Sequence, residues 1–349
     1  MTVAATDKQD RLASFSSTNP LAWSGGMKPD IAAPGVDITA ARSQAMTDSG
    51  EGLYRTISGT SMATPLVAGV AAILAQRHPD WTGAQLKEHL TSTAKGLEGG
   101  YSPYEVGTGR LDVAAAVRTT VRATGSLFFG NYTWPHEPSD VAVTKDLTFT
   151  NAGSSDVTLN LALTDDDVPF TLRAAEVTVP ARGTATVPVT GDPRTASVGR
   201  HAGYVTATDA ATGRQVTRTS VALLKEKERY DLNIKLVGKD GKPASGWVGV
   251  NLAGDPWPWN VYVEGSTTMR MAPGLYTVAG YIDVAGEKAD RSGLAVLVDP
   301  EAVLKDGSAE VVLDASKARL LQTEAPQRTE DRQRKVDFKV HYKGQAEQA

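Results

Sequence analysis

The chain has 349 residues, of which 41% are hydrophobic and 22% are charged, a composition typical of a globular protein with two or three domains. Its 36 Lys and Arg residues nearly balance 40 Asp and Glu residues, and no dense basic run accompanies aromatic residues, so nothing indicates a nucleic-acid partner. It contains no cysteine, which excludes disulfides and cysteine zinc sites. No apolar run reaches the roughly 18 residues that span a bilayer, and the N-terminal stretch MTVAATDKQD lacks the pattern of a signal peptide.

Residues 1–122 combine short apolar runs, Gly/Pro loops and helical patterns, which indicates a mixed α/β segment. The stretch MATPLVAGVAAILAQ, residues 62–76, is apolar nearly all round and predicts a helix packed on several sides. The HPDW sequence that follows ends this helix before its proline. Thr82 and Gln85 have capping-box spacing at the start of a second, amphipathic helix, and a short helix is predicted over 113–117.

After about residue 122, alternation of apolar and polar residues replaces the helical pattern. Residues 123–226 contain about seven predicted strands in about 100 residues, as in an immunoglobulin-like or fibronectin-like sandwich, with a hairpin across DAATGR. Residues 227–316 predict a second all-β module with a hairpin turn at Asp240 and Gly241. Residues 317–349 are polar except for KVDFKVHYKG, whose alternation predicts the start of a further strand.

The stretch SGTSMATP, residues 58–65, places a serine at the start of the predicted central helix. A serine hydroxyl becomes a nucleophile only with a base in hydrogen-bond reach and with donors for the oxyanion. Ser61 lies where the following helix presents free N–H groups and its positive end, Gly59 permits close approach, and Pro65 is tolerated in the first turn. The alternative is that Ser61 only caps the helix, as most serines before helices do.

The wider sequence resembles the subtilisin-like serine proteases, because SGTSMATPLVAGVAAIL stands among further matching segments in the family's order. These segments are TVAATDKQDRLASFSS, KPDIAAPGVDI, HPDWTGAQLKEHLTSTA and GTGRLDVAAAV. The resemblance covers residues 1 to about 120, the C-terminal part of the family's catalytic domain. It implies that this part is a partial α/β domain with a parallel sheet and a central helix. Together with the two all-β sandwich modules that the alternation predicts after it, the chain is expected to be multidomain.

The same resemblance implies that Ser61 is the nucleophile of a serine endopeptidase, with Thr60 beside the oxyanion position and Met62 at the start of the central helix. The second β module is similar to transthyretin-like or carboxypeptidase-regulatory-like sandwiches. Protein or peptide substrates and an extracellular location also follow from the resemblance. Calcium is common in the family, but no ligand set is apparent in the sequence, and no other cofactor is implied.

The family's triad has the chain order Asp, His, Ser, so both partners of Ser61 are expected upstream, where this chain has no histidine. All its histidines lie downstream: His78, His89, His136, His201 and His341. Asp48 in TDSGEG has the small-residue context of the family's aspartate, but no apolar strand precedes it and a loop turn is favoured. Asn151 in NAG is predicted to be a turn residue and not the family's oxyanion asparagine.

These missing groups predict that the chain alone has no peptidase activity and that an upstream protease fragment is a potential partner. Without the first strands of the sheet, the apolar central helix is expected to be uncovered. A different class of function is a non-catalytic binding or adhesion protein that acts through its β modules. Trp247, Trp257 and Trp259 would then form a platform for carbohydrate or peptide. Packing of these tryptophans in the core or in turns is the favoured alternative, because large aromatic side chains are mostly buried.

Overall fold

The computed structural model describes residues 1–21, 24–43, 45, 52–164, 169–285, 292–321, 326 and 338–340. It is rich in β-strands, has few helices, and comprises two compact units, Met1–Glu226 and Lys227–Ala349. Asp48 and most of the predicted C-terminal strand lie outside the described residues, and residues 338–340 have no regular secondary structure. No helix in the described ranges combines the length and the apolar character needed to cross a membrane.

The first part of the Met1–Glu226 unit is built from two short strand pairs and four helices. The strands are β1 (Val3–Thr6), β2 (Ile31–Pro34), β3 (Ile38–Ala41) and β4 (Tyr54–Ile57). The helices are α1 (Thr60–Arg77), α2 (Gly83–Ser92), α3 (Pro103–Val106) and α4 (Val113–Arg118). β1 pairs with β2 in parallel, whereas β3 and β4 are antiparallel. Helix α1 packs against both β1 and β2, and the core that it shares with them contains Val3, Ala5, Ile31 and Ala33.

The predicted helices are present. α1 contains the predicted stretch 62–76 and ends at its C-cap His78. The capping box of α2 is confirmed, since the Gln85 N–H donates to the Thr82 hydroxyl and the Gln85 side chain accepts from the Thr82 N–H. α4 matches the short helix predicted over 113–117. These signals are local, so they hold without reference to the rest of the fold.

Helix α1 is buried on one side only. Its buried residues are Ala63, Val67, Val70 and Leu74. In contrast, Leu66 is 39% exposed and Ile73 is 43% exposed. The prediction of packing on several sides is therefore wrong for this chain, and the expectation of an uncovered helix is confirmed. The two-stranded β1–β2 pair is too narrow to cover more than one face of the helix.

The second part of this unit is a β-sandwich. Its strands are β5 (Val121–Ala123), β6 (Ser126–Tyr132), β7 (Val143–Asn151), β8 (Val157–Leu163), β9 (Phe170–Leu172), β10 (Glu176–Val179), β11 (Thr184–Gly191), β12 (Gly199–Asp209) and β13 (Gln215–Lys225). One sheet has the order β10-β8-β12-β13-β6 and the other β5-β7-β11-β9. The described residues thus contain nine strands where about seven were predicted, because β5 and β9 have three residues each, too few for alternation to be seen. The DAATGR hairpin is confirmed between β12 and β13, and β6 joins β13 in parallel.

The sandwich packs directly on the helical part. The predicted boundary at residue 122 falls inside β5, and the Ala123 N–H donates to the Ser92 hydroxyl at the end of α2 (3.2 Å). The Tyr204 hydroxyl on β12 shares its one proton between the carbonyl oxygens of Tyr101 (3.2 Å) and Gly107 (3.1 Å). Burial raises the pKa of Tyr204 to about 12, so this donor keeps its proton. Hydrogen bonds therefore join the β-sandwich to the helical part.

The Lys227–Ala349 unit is a second sandwich. Its strands are β14 (Tyr230–Val237), β15 (Ser245–Leu252), β16 (Trp259–Glu264), β17 (Ser266–Met271), β18 (Gly274–Ala285), β19 (Ser292–Leu304) and β20 (Ala309–Asp314), followed by a 3-10 turn (Ala315–Lys317). The sheets have the orders β17-β14-β20 and β16-β15-β18-β19. Their facing sides enclose a core that includes Leu232, Ile234, Leu236, Val248, Val250, Tyr276, Val278 and Ile282.

The predicted turn at Asp240 and Gly241 exists but does not form an extended hairpin. Gly241 has φ +76°, and the turn closes through a hydrogen bond from the Gly238 N–H to the Lys242 carbonyl (2.8 Å). The strands on either side, β14 and β15, belong to different sheets. The turn therefore carries the chain between the two layers, a distinction that turn residues alone do not encode.

Candidate functional site

Ser61 is the second residue of α1 and is exposed to solvent. The first backbone hydrogen bonds of this helix come from the N–H groups of Met62 (2.9 Å) and Ala63 (3.3 Å), both to the Gly59 carbonyl. The N–H groups of Thr60 and Ser61 donate to no described carbonyl. Two free donors and the positive end of a helix of 18 residues therefore lie beside the Ser61 hydroxyl.

The capping alternative for Ser61 is wrong. The N-cap of α1 is Gly59, and no side-chain cap hydrogen bond is formed. Since Ser61 lies inside the first turn, its hydroxyl is not used as a cap. Within the described part of the chain the hydroxyl has no hydrogen-bond partner, so it is free to meet a ligand.

A turn at the end of β2 fixes the position of this helix end. The Gly35 N–H donates to the Thr6 carbonyl (2.8 Å), and the Gly59 N–H donates to the Gly35 carbonyl (2.8 Å). A Cβ at Gly35 would lie 2.7 Å from the Gly59 oxygen and 2.8 Å from the Ala5 Cβ, so only glycine fits there. At Gly59 a Cβ would lie 3.3 Å from the flexible Met62 side chain and 3.7 Å from the Ser61 nitrogen, which is ordinary contact. Gly35 is thus the required glycine, and sequence reasoning missed it although a Pro-Gly pair directly after an apolar strand is a turn signal.

Pro65 is the sixth residue of α1 and not part of its first turn. The prediction was wrong because the helix begins at Thr60, two residues before the predicted start. Proline lacks the N–H that would bond to the carbonyl four residues earlier, so the Ser61 carbonyl has no helical donor. The exposed position of Ser61 allows water to hydrate this carbonyl.

The two nearest histidines in the sequence lie at the opposite end of α1. His78 follows Ser61 by 17 residues, which is about 25 Å along a helix axis. Its ring stacks on Trp81 (4.0 Å between centroids), which in turn contacts His89 (4.9 Å). His89 is buried, and its Nε2 donates to the Ala116 carbonyl (2.7 Å). Burial lowers the pKa of His89, which keeps the ring neutral and in a structural role.

The other described histidines belong to the β-sandwich. His136 packs edge-on against Trp134 (5.4 Å between centroids), and the His201 Nε2 donates to the Ser197 carbonyl (2.7 Å). His341 lies outside the described residues. None of these four described rings contacts the Ser61 hydroxyl.

Asn151 is a turn residue, as predicted. It is buried at the end of β7, and its Oδ1 accepts from the Gly153 N–H (2.8 Å) while its Nδ2 donates to the Ser155 carbonyl (2.8 Å). The Nδ2 also donates to the Val179 carbonyl (3.3 Å), and the Oδ1 accepts from the Thr120 hydroxyl (3.3 Å). It therefore does not offer a donor to a substrate.

Asp30 is the carboxylate with the strongest perturbation in the helical part. Burial of Asp30 raises its pKa, but hydrogen bonds from Lys28, the Thr2 N–H and Lys87 outweigh this effect and hold the pKa at about 2. The Lys28 and Lys87 ammonium groups each lie 2.9 Å from an Asp30 oxygen. Asp30 precedes β2, about 16 Å along the strand from Gly35. It therefore anchors α2 to the start of β2 and does not serve the Ser61 end.

The family resemblance allows a calcium site. Among the described residues, no three or more His, Cys, Asp or Glu side chains lie together in a cluster that could hold a metal ion.

The three tryptophans of the second unit are neither buried nor on one face. Trp247, Trp257 and Trp259 are 57%, 79% and 49% exposed, so packing in the core is wrong for all three. Trp257 does lie in a turn, before β16, where its N–H donates to the Asp255 Oδ1 (3.2 Å). Trp247 on β15 lies opposite Tyr262, whereas Trp259 lies opposite Val250. Because successive residues of a strand point to opposite faces, Trp247 and Trp259 lie on opposite sides of the sheet. The predicted platform of three tryptophans is therefore not formed.

Comparison with known proteins identifies the part of the chain that carries Ser61. The family model "Subtilase family", Peptidase S8, matches residues 1–109. The M-protease of Shouchella clausii (strain KSM-K16) is 42% identical over 118 residues, which are 34% of this chain and 27% of that protein. Subtilisin BL of Lederbergia lenta is 40% identical over 118 residues, which are 34% of this chain and 38% of that protein.

Among solved structures, fervidolysin from Fervidobacterium pennivorans, a keratinolytic enzyme related to subtilisin, aligns with 86% of this chain and 47% of its own chain. Its identity is 17% and its TM-score 0.29, a value too low to support a statement about the fold. The matched part of this chain spans about a quarter of the M-protease and about two fifths of subtilisin BL. Residues 1–109 therefore match the subtilase family, peptidase S8, a family of serine peptidases.

Proposed function

We propose that residues 1–122 form the serine-bearing part of a subtilisin-like serine endopeptidase, with Ser61 as its nucleophile. The observation that carries this proposal is the position of Ser61 in a matched subtilase segment, exposed and beside the free N–H groups of a helix N-terminus. Protein or peptide chains are the corresponding substrates. The β modules at 123–226 and 227–316 are appended to this segment and support or target it, and the chain acts outside the cell.

In this reaction the Ser61 oxygen adds to the scissile carbonyl carbon, and its proton passes to a histidine base. The carbonyl oxygen becomes an oxyanion, which the Ser61 N–H stabilises because this donor is fixed at the helix start. The amine product leaves with the proton from the histidine, and water then hydrolyses the acyl group on Ser61. Of these roles, residues 1–122 supply the nucleophile and one oxyanion donor.

The base and its orienting acid come from elsewhere in the proposed enzyme. His78 and His89 are held at the far end of α1, and the sequence before Ser61 contains no histidine. Loss of the base costs about a million-fold in kcat, a magnitude measured on subtilisin itself. We therefore expect the chain alone to hydrolyse no peptide at a measurable rate, and an upstream protease fragment to be required.

A chimera tests this proposal. The part of the S. clausii M-protease that precedes its 118 matched residues would be fused to Met1 of this chain. We expect hydrolysis of a fluorogenic peptide and stoichiometric labelling of Ser61 by a serine-directed phosphonate, located by mass spectrometry. Ser61→Ala should abolish both signals, whereas Ser58→Ala, three residues away, should retain them.

Two results would overturn the proposal. One is a folded chimera that neither reacts with the phosphonate nor cleaves peptide. The other is phosphonate labelling at a different serine with Ser61 unmodified. Labelling of Ser61 in the unfused chain would retain Ser61 as nucleophile but overturn the requirement for an upstream fragment.

A further inference from the structure

The outer face of the β16-β15-β18-β19 sheet carries a continuous row of aromatic side chains. Tyr262, Trp247 and Tyr281 lie directly opposite one another on three neighbouring strands, and Val296 continues the row on the fourth. The Trp247 and Tyr262 rings meet at 5.5 Å between centroids with an angle of 70°. Trp247 is 57% exposed, Tyr262 51% and Tyr281 37%, so this row, here called the aromatic row, faces solvent.

The positions on one side of the aromatic row place a polar side chain beside it. The next set of opposed residues on the same face is Asn260, Gly249, Ala279 and Val298. Gly249 and Ala279 are buried, and a Cβ at Gly249 would lie 3.2 Å from the Asn260 Oδ1. The exposed Asn260 amide therefore lies over Gly249, beside the aromatic row.

The charge on the face limits the partner. The opposed residues on the other side of the aromatic row are Glu264, Ser245, Asp283 and Leu294. These three sets of opposed residues contain two carboxylates and no Lys or Arg. Polyanions such as nucleic acids, sulfated polysaccharides and anionic lipid surfaces are therefore disfavoured. Aromatic faces with nearby amide and carboxylate acceptors fit a neutral ligand rich in C–H and O–H groups.

The aromatic row and its two flanking sets form a compact patch. Four strands span about 14 Å across the sheet and the three sets of residues span about 14 Å along it, which gives a patch of about 200 Å². A stable protein–protein interface needs about 800 Å² per partner, four times the area of this patch. A narrow polymer that lies across the sheet would cover the patch completely, so the patch fits such a polymer better than a folded protein.

We propose that the outer face of this sheet binds a neutral polysaccharide, whose pyranose rings stack on Trp247, Tyr262 and Tyr281. The C–H faces of the sugars contact the rings, and the Asn260 amide and the Glu264 and Asp283 carboxylates bond to sugar hydroxyls. Trp247 is the central contact, because it lies between the two tyrosines. This site is independent of the Ser61 chemistry.

The test is binding of the full chain to insoluble microcrystalline cellulose and chitin, measured as depletion isotherms, with heparin-agarose and gelatin-agarose alongside. We expect binding to at least one neutral polysaccharide, weakened about tenfold by Trp247→Ala and largely kept by Trp247→Phe, which retains an aromatic ring. Trp259→Ala is the matched control, since Trp259 is a comparably exposed tryptophan on the opposite face of the same sheet. It should bind like the unchanged chain.

Four outcomes would overturn the proposal. They are no binding to either neutral polysaccharide, equal loss in Trp247→Ala and Trp259→Ala, a Trp247-dependent interaction with gelatin only, and a Trp247-dependent dimer in sedimentation velocity. Far-UV circular dichroism of each variant confirms that the sheet is intact. Because Trp247→Phe keeps the ring and its packing, loss of binding in that variant with a native spectrum also counts against stacking.

Discussion

The one-sided burial of α1 can be tested by substituting two adjacent residues, one on each side of the helix. Leu74 is fully buried against β1 and β2, whereas its neighbour Ile73 is 43% exposed on the open side of the helix. Each is replaced by alanine in the full chain. Because only Leu74 is enclosed, the two substitutions should differ strongly in their effect on the free energy of unfolding although both remove three carbon atoms.

The magnitudes follow from the burial of each side chain. Leu74→Ala removes three buried carbons at about 0.8 kcal/mol each and leaves a cavity, so the expected loss is about 3 kcal/mol. Ile73→Ala removes carbons that are only partly buried and leaves no enclosed cavity, so its loss is about 1 kcal/mol. The higher helix propensity of alanine offsets roughly 0.4 kcal/mol of that loss. The two variants should therefore differ by about 2 kcal/mol.

Urea unfolding followed by circular dichroism at the helical band measures this difference. The described α-helices all lie in the Met1–Glu226 unit, so the helical signal reports on that unit and not on the second sandwich. Equal losses for Ile73→Ala and Leu74→Ala would show that the open side of α1 is in fact packed. A negligible loss for Leu74→Ala would show that α1 does not pack on β1 and β2.

Three further predictions concern the same unit. Gly35→Ala should destabilise it by more than about 2 kcal/mol in urea unfolding, because a Cβ would lie 2.7 Å from the Gly59 oxygen. Gly69→Ala is the control, since nothing lies within 4 Å of a Cβ at Gly69, and it should stabilise α1 by about 1 kcal/mol. An equal change in the free energy of unfolding for Gly35→Ala and Gly69→Ala would contradict the close approach of Gly35 to Gly59. Because the pKa of Asp30 is held at about 2, below the 3.8 of an unperturbed Asp, its stabilisation is present above pH 3.8 and is lost as the pH falls towards 2. Asp30→Asn should flatten the pH dependence of stability in that window, and an unchanged slope would refute the ion pairs. Burial lowers the pKa of His89 below 6.5, so the unfolded chain gains a proton below pH 6.5 that the folded chain does not. The free energy of unfolding should therefore fall as the pH drops below 6.5. An ordinary pKa for His89 in a histidine NMR titration would contradict this prediction.

The sequence by itself determined the features that depend on neighbouring residues. The central part of α1 over residues 62–76, the capping box at Thr82 and the DAATGR hairpin follow from apolar composition, from side-chain spacing and from turn chemistry. The subtilase motif around Ser61 also lies in one short stretch, so it could be read without a fold. In each case the interacting groups are close in the chain, and the pattern therefore contains the whole interaction.

Only the tertiary structure decided the features that join distant parts of the chain. The need for glycine at position 35 arises from the approach of Gly59, 24 residues later, which no local pattern contains. The aromatic row joins Trp247 to Tyr262 and Tyr281 and leaves Trp259 on the other face, because strand register and not proximity in the sequence selects the neighbours. The exposure of Ile73 likewise depends on how much sheet lies beside α1, since an apolar helix is buried only where other elements cover it.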